Sequence, residues 1–281
     1  MCRSDKFLVF NFKHMQKPFF SIITCTYSSG KYIGKNILSV EEQTLTDYEH
    51  IFVDGNSTDD TRQLINIYKL RDKRVSVYQL EPKGISNAMN EGIRQARGKY
   101  LIFLNSDDCF IDSNVLDDVH KYLSSHLSLE WIYGKILVET EDGREIGTFP
   151  KRRFMQISSK CFYGKWLIKI FNFVPHQAVF MRKEVFDKFG LFDETITSKM
   201  DYDLWLKTIS TTRWEYLDRI ISRYMVGHNT VSAAPARKKE NLDNMNIVQS
   251  RYFGKLGQVV LPLLNLWILR VNKIYKSLKV A

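Results

Sequence analysis

Short apolar runs alternate with amphipathic stretches along the first hundred residues. Residues 19–26, FFSIITCT, are β-branched and aromatic and predict a buried strand. Residues 31–42 place Ile33, Ile37, Leu38 and Val40 at helical spacing. The pattern repeats with a strand over 48–54, YEHIFVD, a helix over 61–70 and a strand over 75–79. Ala88, Met89, Ile93 and Ala96 then predict a helix over 87–97, with Gly98 placed to stop it. Residues 100–104, wholly apolar, suit a strand buried on both faces. Such alternation predicts an α/β fold, a mostly parallel sheet with helices on both faces. Further on, strands are expected over 129–138 and 178–181, with a hairpin turn at 141–144 after the first of these. Helices are expected over 183–190 and through 204–209.

The chemistry gathers where predicted strands end. In open α/β sheets ligands sit beyond the carboxyl ends of the strands. The last of the early strands runs into Asn105-Ser106-Asp107-Asp108. Two adjacent carboxylates repel each other at neutral pH unless something positive lies between them. A hard divalent cation such as Mg²⁺, held by few carboxylates plus substrate phosphates, is one natural occupant. An ordinary helix cap is the other reading. Asp54 also closes a strand, followed by Gly55, which lets the backbone approach a ligand. Ser57 and Asp60 have the spacing of a capping signature for the helix over 61–70, and Ser57, Asp59 and Asp60 all read as its cap. Lys83 can meet a phosphate or remain a solvated lysine.

Length and composition allow one α/β domain with an appendage: 281 residues, 44% hydrophobic and 13% aromatic. A formal charge of +10 points to an anionic partner. Nothing resembles a reading helix or a base-stacking platform for nucleic acid, so a nucleotide or a membrane surface fits better. Four scattered cysteines without a C-x-x-C pair argue against a zinc site or disulfide framework and suit a cytoplasmic protein. The stretch GKYIGKN falls short of a P-loop, with Asn36 where a metal-binding Ser or Thr belongs. No G-x-G-x-x-G occurs. The division expected is a leader over 1–17, a main domain over 18–232 and a basic, amphipathic helical extension over 233–281. In that extension 259–269, VVLPLLNLWIL, is too short to span a bilayer, but with its flanking lysines suits an interfacial helix. Packing on the domain or on a partner subunit is the alternative.

FSIITCTY, SVEEQT, YEHIFVDGNSTDDT, GISNAMNEGIRQARGKYLIFLNSDD, PHQAVFMRKEVFDKFGLFDE and DYDLWLK occur in that order. Together they resemble a family 2 glycosyltransferase of the GT-A fold, and most closely the polysaccharide, colanic-acid-type subgroup. The resemblance implies an inverting transfer, dependent on Mg²⁺ or Mn²⁺, from a nucleotide-diphosphate sugar, with a UDP-sugar expected, to a surface-polysaccharide or lipid-linked glycan. It implies donor contacts at Thr26, Tyr27, Asp54, Lys83, Asn87 and Asp107. Asp108 is then the direct metal ligand, joined by Asp107 and by His228 as a further metal or phosphate contact. Asp201 is expected as the base, with Met200 standing where the family has Glu, and Asp203 as its rival. On a helix these two point apart, so one alone should face the cleft. His176 and Gln177 are expected at the acceptor; a satisfied loop histidine is the other reading of His176. The expected setting is the cytoplasm, with peripheral contact at the inner face of the cell membrane; an oligomer is compatible with it. Two other classes share these features. A non-catalytic sugar-nucleotide-binding protein needs no Asp201, and a nucleotidyltransferase of related fold needs a Gly-rich basic loop that CTYSSGKYIG does not supply.

Overall fold

The computed structural model describes residues 17–151, 156–161, 163–170, 172–226 and 239–253. Its first half follows the expected alternation: β1 (Phe20–Thr26), α1 (Ile33–Glu41), β2 (Tyr48–Asp54), α2 (Thr61–Arg71), β3 (Val75–Gln79), α3 (Ile85–Gln95) and β4 (Tyr100–Phe103). These four strands are parallel, in the order β3-β2-β1-β4. The chain therefore leaves β1 toward β3 and returns to its other side at β4. That reversal makes β1/β4 the switch point, where the crevice beyond the strands opens.

The second half extends the same sheet. It contains β5 (Cys109–Phe110), α4 (Val115–Ser125), β6 (Trp131–Thr140), β7 (Glu145–Phe149), α5 (Gly164–Ile170), a 3₁₀ turn (His176–Ala178), β8 (Val179–Arg182), α6 (Lys183–Phe189), α7 (Met200–Thr208) and β9 (Trp214–Val226). A last helix, α8, covers residues 239–253. Among the described residues the sheet has nine strands. β8 joins antiparallel to β4, then β6, β9 and β5 follow, with β7 paired to β6.

Alternation along the strands divides the core between the two faces. Ile23, Cys25, Ile51, Val53, Leu101 and Phe103 pack with α3, α6 and α7, and with Val248 of α8. Phe20, Ile22, Tyr48, Tyr100, Ile102 and Leu104 pack against α1 and α4, and Phe52 against α1 and α2. Three stacked indoles, Trp131, Trp205 and Trp214, with ring centroids 5.6 and 5.1 Å from Trp131, fill the first side under α7.

Three local expectations change. Helix α3 begins two residues earlier than its apolar spacing suggests, because Gly84 turns into it at φ 102°. Gly98 does not cap it; the helix gives way at Ala96, whose backbone is extended. Glycine is required at 98 for packing, since a Cβ there would lie 2.5 Å from the Ser21 backbone nitrogen. Of the three residues expected to cap α2, Asp59 serves and Ser57 and Asp60 do not. Asp59 accepts from the Thr61 N–H at 3.1 Å and from the Gly30 N–H at 2.9 Å, tying the β1 turn to α2.

Helix α8 is fastened to the domain. Arg251 reaches Asp193 at 2.7 Å and Asp203 at 3.2 Å, and Asn244 donates to Ser198 at 3.0 Å. No described helix is long and apolar enough to cross a membrane. His228, the apolar run over 259–269, residues 1–16 of the expected leader, and 231–238 of the segment after β9 lie outside the described residues.

Candidate active site

A cavity of about 1240 Å³ opens beyond the carboxyl ends of the parallel strands. The β1 turn forms one side with Thr26, Tyr27, Ser28 and Ser29, and the segment after β4 adds Asn105, Ser106 and Asp107. Lys83 and Asn87 enter from the start of α3, while His176 and Gln177 come from the 3₁₀ turn. Lys199, Met200 and Asp201 come from the start of α7, and Ile136, Val138, Phe149 and Tyr224 from the β6–β7–β9 wall.

Asp107 and Asp108 are not caps. Helix α4 begins at Val115, after Asn114, and neither carboxylate touches its end. The acidic loop is instead held from beneath by α1. Asn36, fully buried in the helix's apolar stripe, donates its amide to the Asn105 carbonyl at 2.9 Å and the Asp108 carbonyl at 3.1 Å. Ser39 accepts from the Phe110 N–H at 3.1 Å, and Gln43 donates to the Asp112 carbonyl at 2.7 Å. In the sequence Asn36 stands out only as the residue that spoils a P-loop. A polar side chain among Ile33, Ile37 and Val40 was the available signal, because a buried amide must bond to something.

The two aspartates differ in setting. Asp107 lines the cavity, and burial raises its pKa, offset in part by its own backbone N–H and by His176. Asp108 lies behind it, 1% exposed, and neither carboxylate oxygen has a hydrogen-bond partner. Burial first, and the charge of Asp107 second, push its pKa well above the ordinary range; the nearby Asn105 and Gln177 amides offset only part of this. A buried carboxylate without donors calls for a proton or a cation. The described residues hold no cluster of three or more metal-type ligands. A hard divalent ion that draws its remaining ligands from phosphates and water needs only one or two carboxylates. The Asp107–Asp108 pair fits such an ion.

Asp54 sits at its strand end beneath the cavity, fully buried. Its carboxylate accepts from Thr26 Oγ1 at 2.8 Å, from the Ser57 hydroxyl at 2.5 Å and from the Ser57 N–H at 3.0 Å. Asp54 and Thr26 thus fix each other and the loop around Gly55. Tyr27 lies above, 65% exposed, its ring edge 3.2 Å from where a Cβ on Gly55 would be. Asn87 is turned to Glu194, donating at 3.0 Å, and Lys83 stands exposed at the rim.

The α7 aspartates separate as helical spacing requires. Asp201 faces the cavity. Its Oδ1 accepts from the Tyr202 N–H at 2.7 Å, and its Oδ2 lies 3.5 Å from His176 Nδ1. Burial alone would raise its pKa. His176, the charge of Lys199 and the Tyr202 N–H outweigh that and hold the carboxyl below its usual range. Lys199, in left-handed backbone at φ 69°, turns the chain into α7. Asp203 points away, 1% exposed, bonded to Arg251 at 3.2 Å and Tyr252 at 3.1 Å, and paired with Lys207 at 2.9 Å. Asp203 does not line the cavity; it anchors α8. His176 also meets Asn105, its Nε2 lying 3.0 Å from the Asn105 amide nitrogen.

A switch-point acidic loop sharing one cavity with a helix-borne carboxylate belongs to the GT-A class of nucleotide-sugar transferases. The chain belongs to glycosyl transferase family 2, whose family model matches residues 21–189. A Mycobacterium tuberculosis relative, "PGL/p-HBAD biosynthesis glycosyltransferase", is 27% identical over 212 residues, covering 75% of each chain. The Staphylococcus aureus TarS 1–349 structure in complex with UDP-GlcNAc aligns with a TM-score of 0.66 at 25% identity. That alignment covers 82% of this chain and 65% of TarS 1–349. The mannosyltransferase PcManGT from Pyrobaculum calidifontis, solved with GDP-Man and Mn²⁺, shares the fold at a TM-score of 0.62 and 16% identity. Its alignment covers 84% of this chain and 65% of PcManGT. The chain thus spans about two thirds of the length of these solved relatives.

Proposed function

We propose that this enzyme moves a sugar, with inversion at the anomeric carbon, from a nucleotide-diphosphate donor, a UDP-sugar, to a hydroxyl of a surface-polysaccharide or lipid-linked glycan acceptor. The observation that carries the reading is Asp201. It is a carboxylate with a lowered pKa, so ionised at neutral pH, and it shares one cavity with the acidic strand end. A binding protein without activity has no use for such a group.

Asp201 takes the proton of the attacking acceptor hydroxyl. The freed oxygen bonds to the anomeric carbon as the bond from that carbon to the donor phosphate oxygen breaks. The bonding pair leaves with the nucleoside diphosphate, and displacement from the opposite side inverts the centre. Tyr27, exposed over Gly55, gives a nucleobase a flat face. Thr26 and Asp54 support it by locking the strand ends together. Lys83 and Lys199 are cations on the cavity wall suited to the diphosphate. Asn87 completes the donor wall, while His176 and Gln177 border the acceptor side. Asp107 and Asp108 would hold Mg²⁺ or Mn²⁺, which when bound offsets the charge gained by the leaving diphosphate. The cavity exceeds the roughly 300–1,000 Å³ usual for one ligand, leaving room for donor and acceptor together. The apolar run over 259–269 with its flanking lysines supports action at the inner face of the cell membrane.

The test is a thermal-shift screen of UDP-, GDP- and dTDP-sugars with and without Mn²⁺, followed by transfer to a membrane fraction. Stabilisation by one nucleotide class, strengthened by Mn²⁺, is the expected result. Wild-type protein that is stabilised by a donor yet transfers nothing, to either a glycan or a lipid-linked acceptor, would remove the catalytic reading.

A further inference from the structure

We propose that His176 is the positioning residue of Asp201, and that Asn105 sets the tautomer in which it acts. The inference rests on the transferase reading of this site and assigns His176 a role other than contact with a sugar. An amide nitrogen can only donate. The 3.0 Å contact from Asn105 Nδ2 therefore makes His176 Nε2 an acceptor, and the neutral ring carries its proton on Nδ1. That nitrogen lies 3.5 Å from Asp201 Oδ2. The other oxygen of Asp201 is held by the Tyr202 N–H at 2.7 Å. The carboxylate is thus held at one oxygen and faced by the imidazole at the other, with lone pairs left to receive a proton from the acceptor.

Nε2 of His176 is taken up by Asn105 and Nδ1 lies beside Asp201, so the ring is turned to the base rather than to a sugar hydroxyl. The link has a further property. Asn105 belongs to the acidic loop, held through its carbonyl by Asn36, while Asp201 begins α7. The imidazole therefore ties the base to the donor end of the cavity across nearly a hundred residues of chain. A histidine that fixes a catalytic or ligating group through a hydrogen bond to its second nitrogen is a general device.

The test combines spectroscopy with kinetics on full-length protein. Long-range nitrogen–proton NMR of the imidazole rings, with His176→Phe to assign the signal among six histidines, reads the tautomer directly. The wild type is expected to show Nδ1–H at His176, and Asn105→Leu to release that preference. Kinetics use UDP-N-acetylglucosamine, or whichever nucleotide sugar the thermal-shift screen selects. His176→Phe is expected to lower kcat about 10- to 100-fold, the range found when a group orienting a functional side chain is lost, with donor KM and melting temperature near wild type. His176→Asn, whose amide N–H falls near the Nδ1 position, should recover most of the loss; His176→Gln, whose amide falls near Nε2, should not. An Nε2–H tautomer in the wild type, equal kcat in His176→Phe, or a loss confined to acceptor KM overturns the proposal. A wild type that transfers from no donor refutes the transferase reading and the positioning role with it. The tautomer signal, which does not depend on turnover, distinguishes that failure from the others.

Discussion

Asp108 offers a test in which loss of function should bring a gain in stability. Its two oxygens are buried and unbonded, and burial together with Asp107 raises its folded pKa well above the ordinary range. A carboxyl whose folded pKa is raised stabilises the fold fully only below its unfolded pKa. That contribution is lost as the pH rises through the folded value. At neutral pH the metal-free protein therefore carries a penalty. Asp108→Asn removes the charge at nearly constant shape. An unsatisfied buried polar group costs about 1–3 kcal/mol, more when charged. For a chain of this size that corresponds to a melting temperature roughly 2–10 °C higher at pH 7 in chelator. The gain should fade toward pH 4, where Asp108 of the wild type is protonated in the fold. Mn²⁺ should raise the wild type's melting temperature and leave Asp108→Asn unmoved; saturation at a hundred times Kd is worth about 2.7 kcal/mol. The assay is differential scanning fluorimetry of both proteins from pH 4 to 8, in chelator and in Mn²⁺. A variant less stable than wild type at pH 7 in chelator, or one that Mn²⁺ stabilises equally, would refute the reasoning.

Asp201→Asn and Asp203→Asn form a mirrored pair. The first should lower kcat about 10²- to 10⁴-fold, the usual share of a general base, with donor affinity kept, as read by titration calorimetry and turnover. The second should lose about 1–3 kcal/mol of stability in urea melts, because it weakens the contacts to Arg251, Tyr252 and Lys207; the protein that remains folded should retain its kcat. Tyr27→Ala should leave the melting temperature unchanged, since the ring is 65% exposed, yet weaken nucleotide binding by about 1–3 kcal/mol if the base stacks there. Gly98→Ala should cost about 1–3 kcal/mol by driving a Cβ into the Ser21 backbone. If the cap role held instead, Gly98→Asn would be nearly neutral, and melting curves of both variants decide.

The alternation of apolar runs with 3.6-residue stripes was enough to read β1 through β4 and their parallel pairing, though not their order in the sheet. Each of those elements buries a face that its own residues declare. The acidic strand end was legible for the same reason, since polarity changes abruptly between Leu104 and Asp107. Other features are invisible because their cause lies far away in the chain. Nothing local in Asp203 announces Arg251, and only the helical period hinted that it faces away from Asp201. His176 looks like any loop histidine until the 3₁₀ turn brings it to Asn105 and Asp201. Strand β9 escaped notice because Trp214–Val226 mixes charged and apolar residues without strict alternation, its partners β6 and β5 supplying its register. Asp54 was expected at the donor, with no hint of how it is held. The hydroxyls that occupy it come from Thr26 and Ser57, residue types whose partners spacing cannot reveal.

Strand β5 is two residues long and follows Asp108 immediately. It pairs with β9, Cys109 opposite Arg223 and Phe110 opposite Ser222. On its other side the acidic loop is fixed where the Leu104 N–H reaches the Ile23 carbonyl at 3.0 Å. The loop is therefore clamped by one strand from the beginning of the chain and one from more than a hundred residues later. The stretch that carries the strand-end carboxylates looks, in sequence, like a self-contained nucleotide-binding module. It is not separable: its shape is completed only when β9 has been made and docked. A fragment ending after α4 would retain every one of those carboxylates and still lack the partner that holds them in place. Grafting residues 17–125 onto another acceptor domain would succeed only if the new domain supplied a strand at that edge.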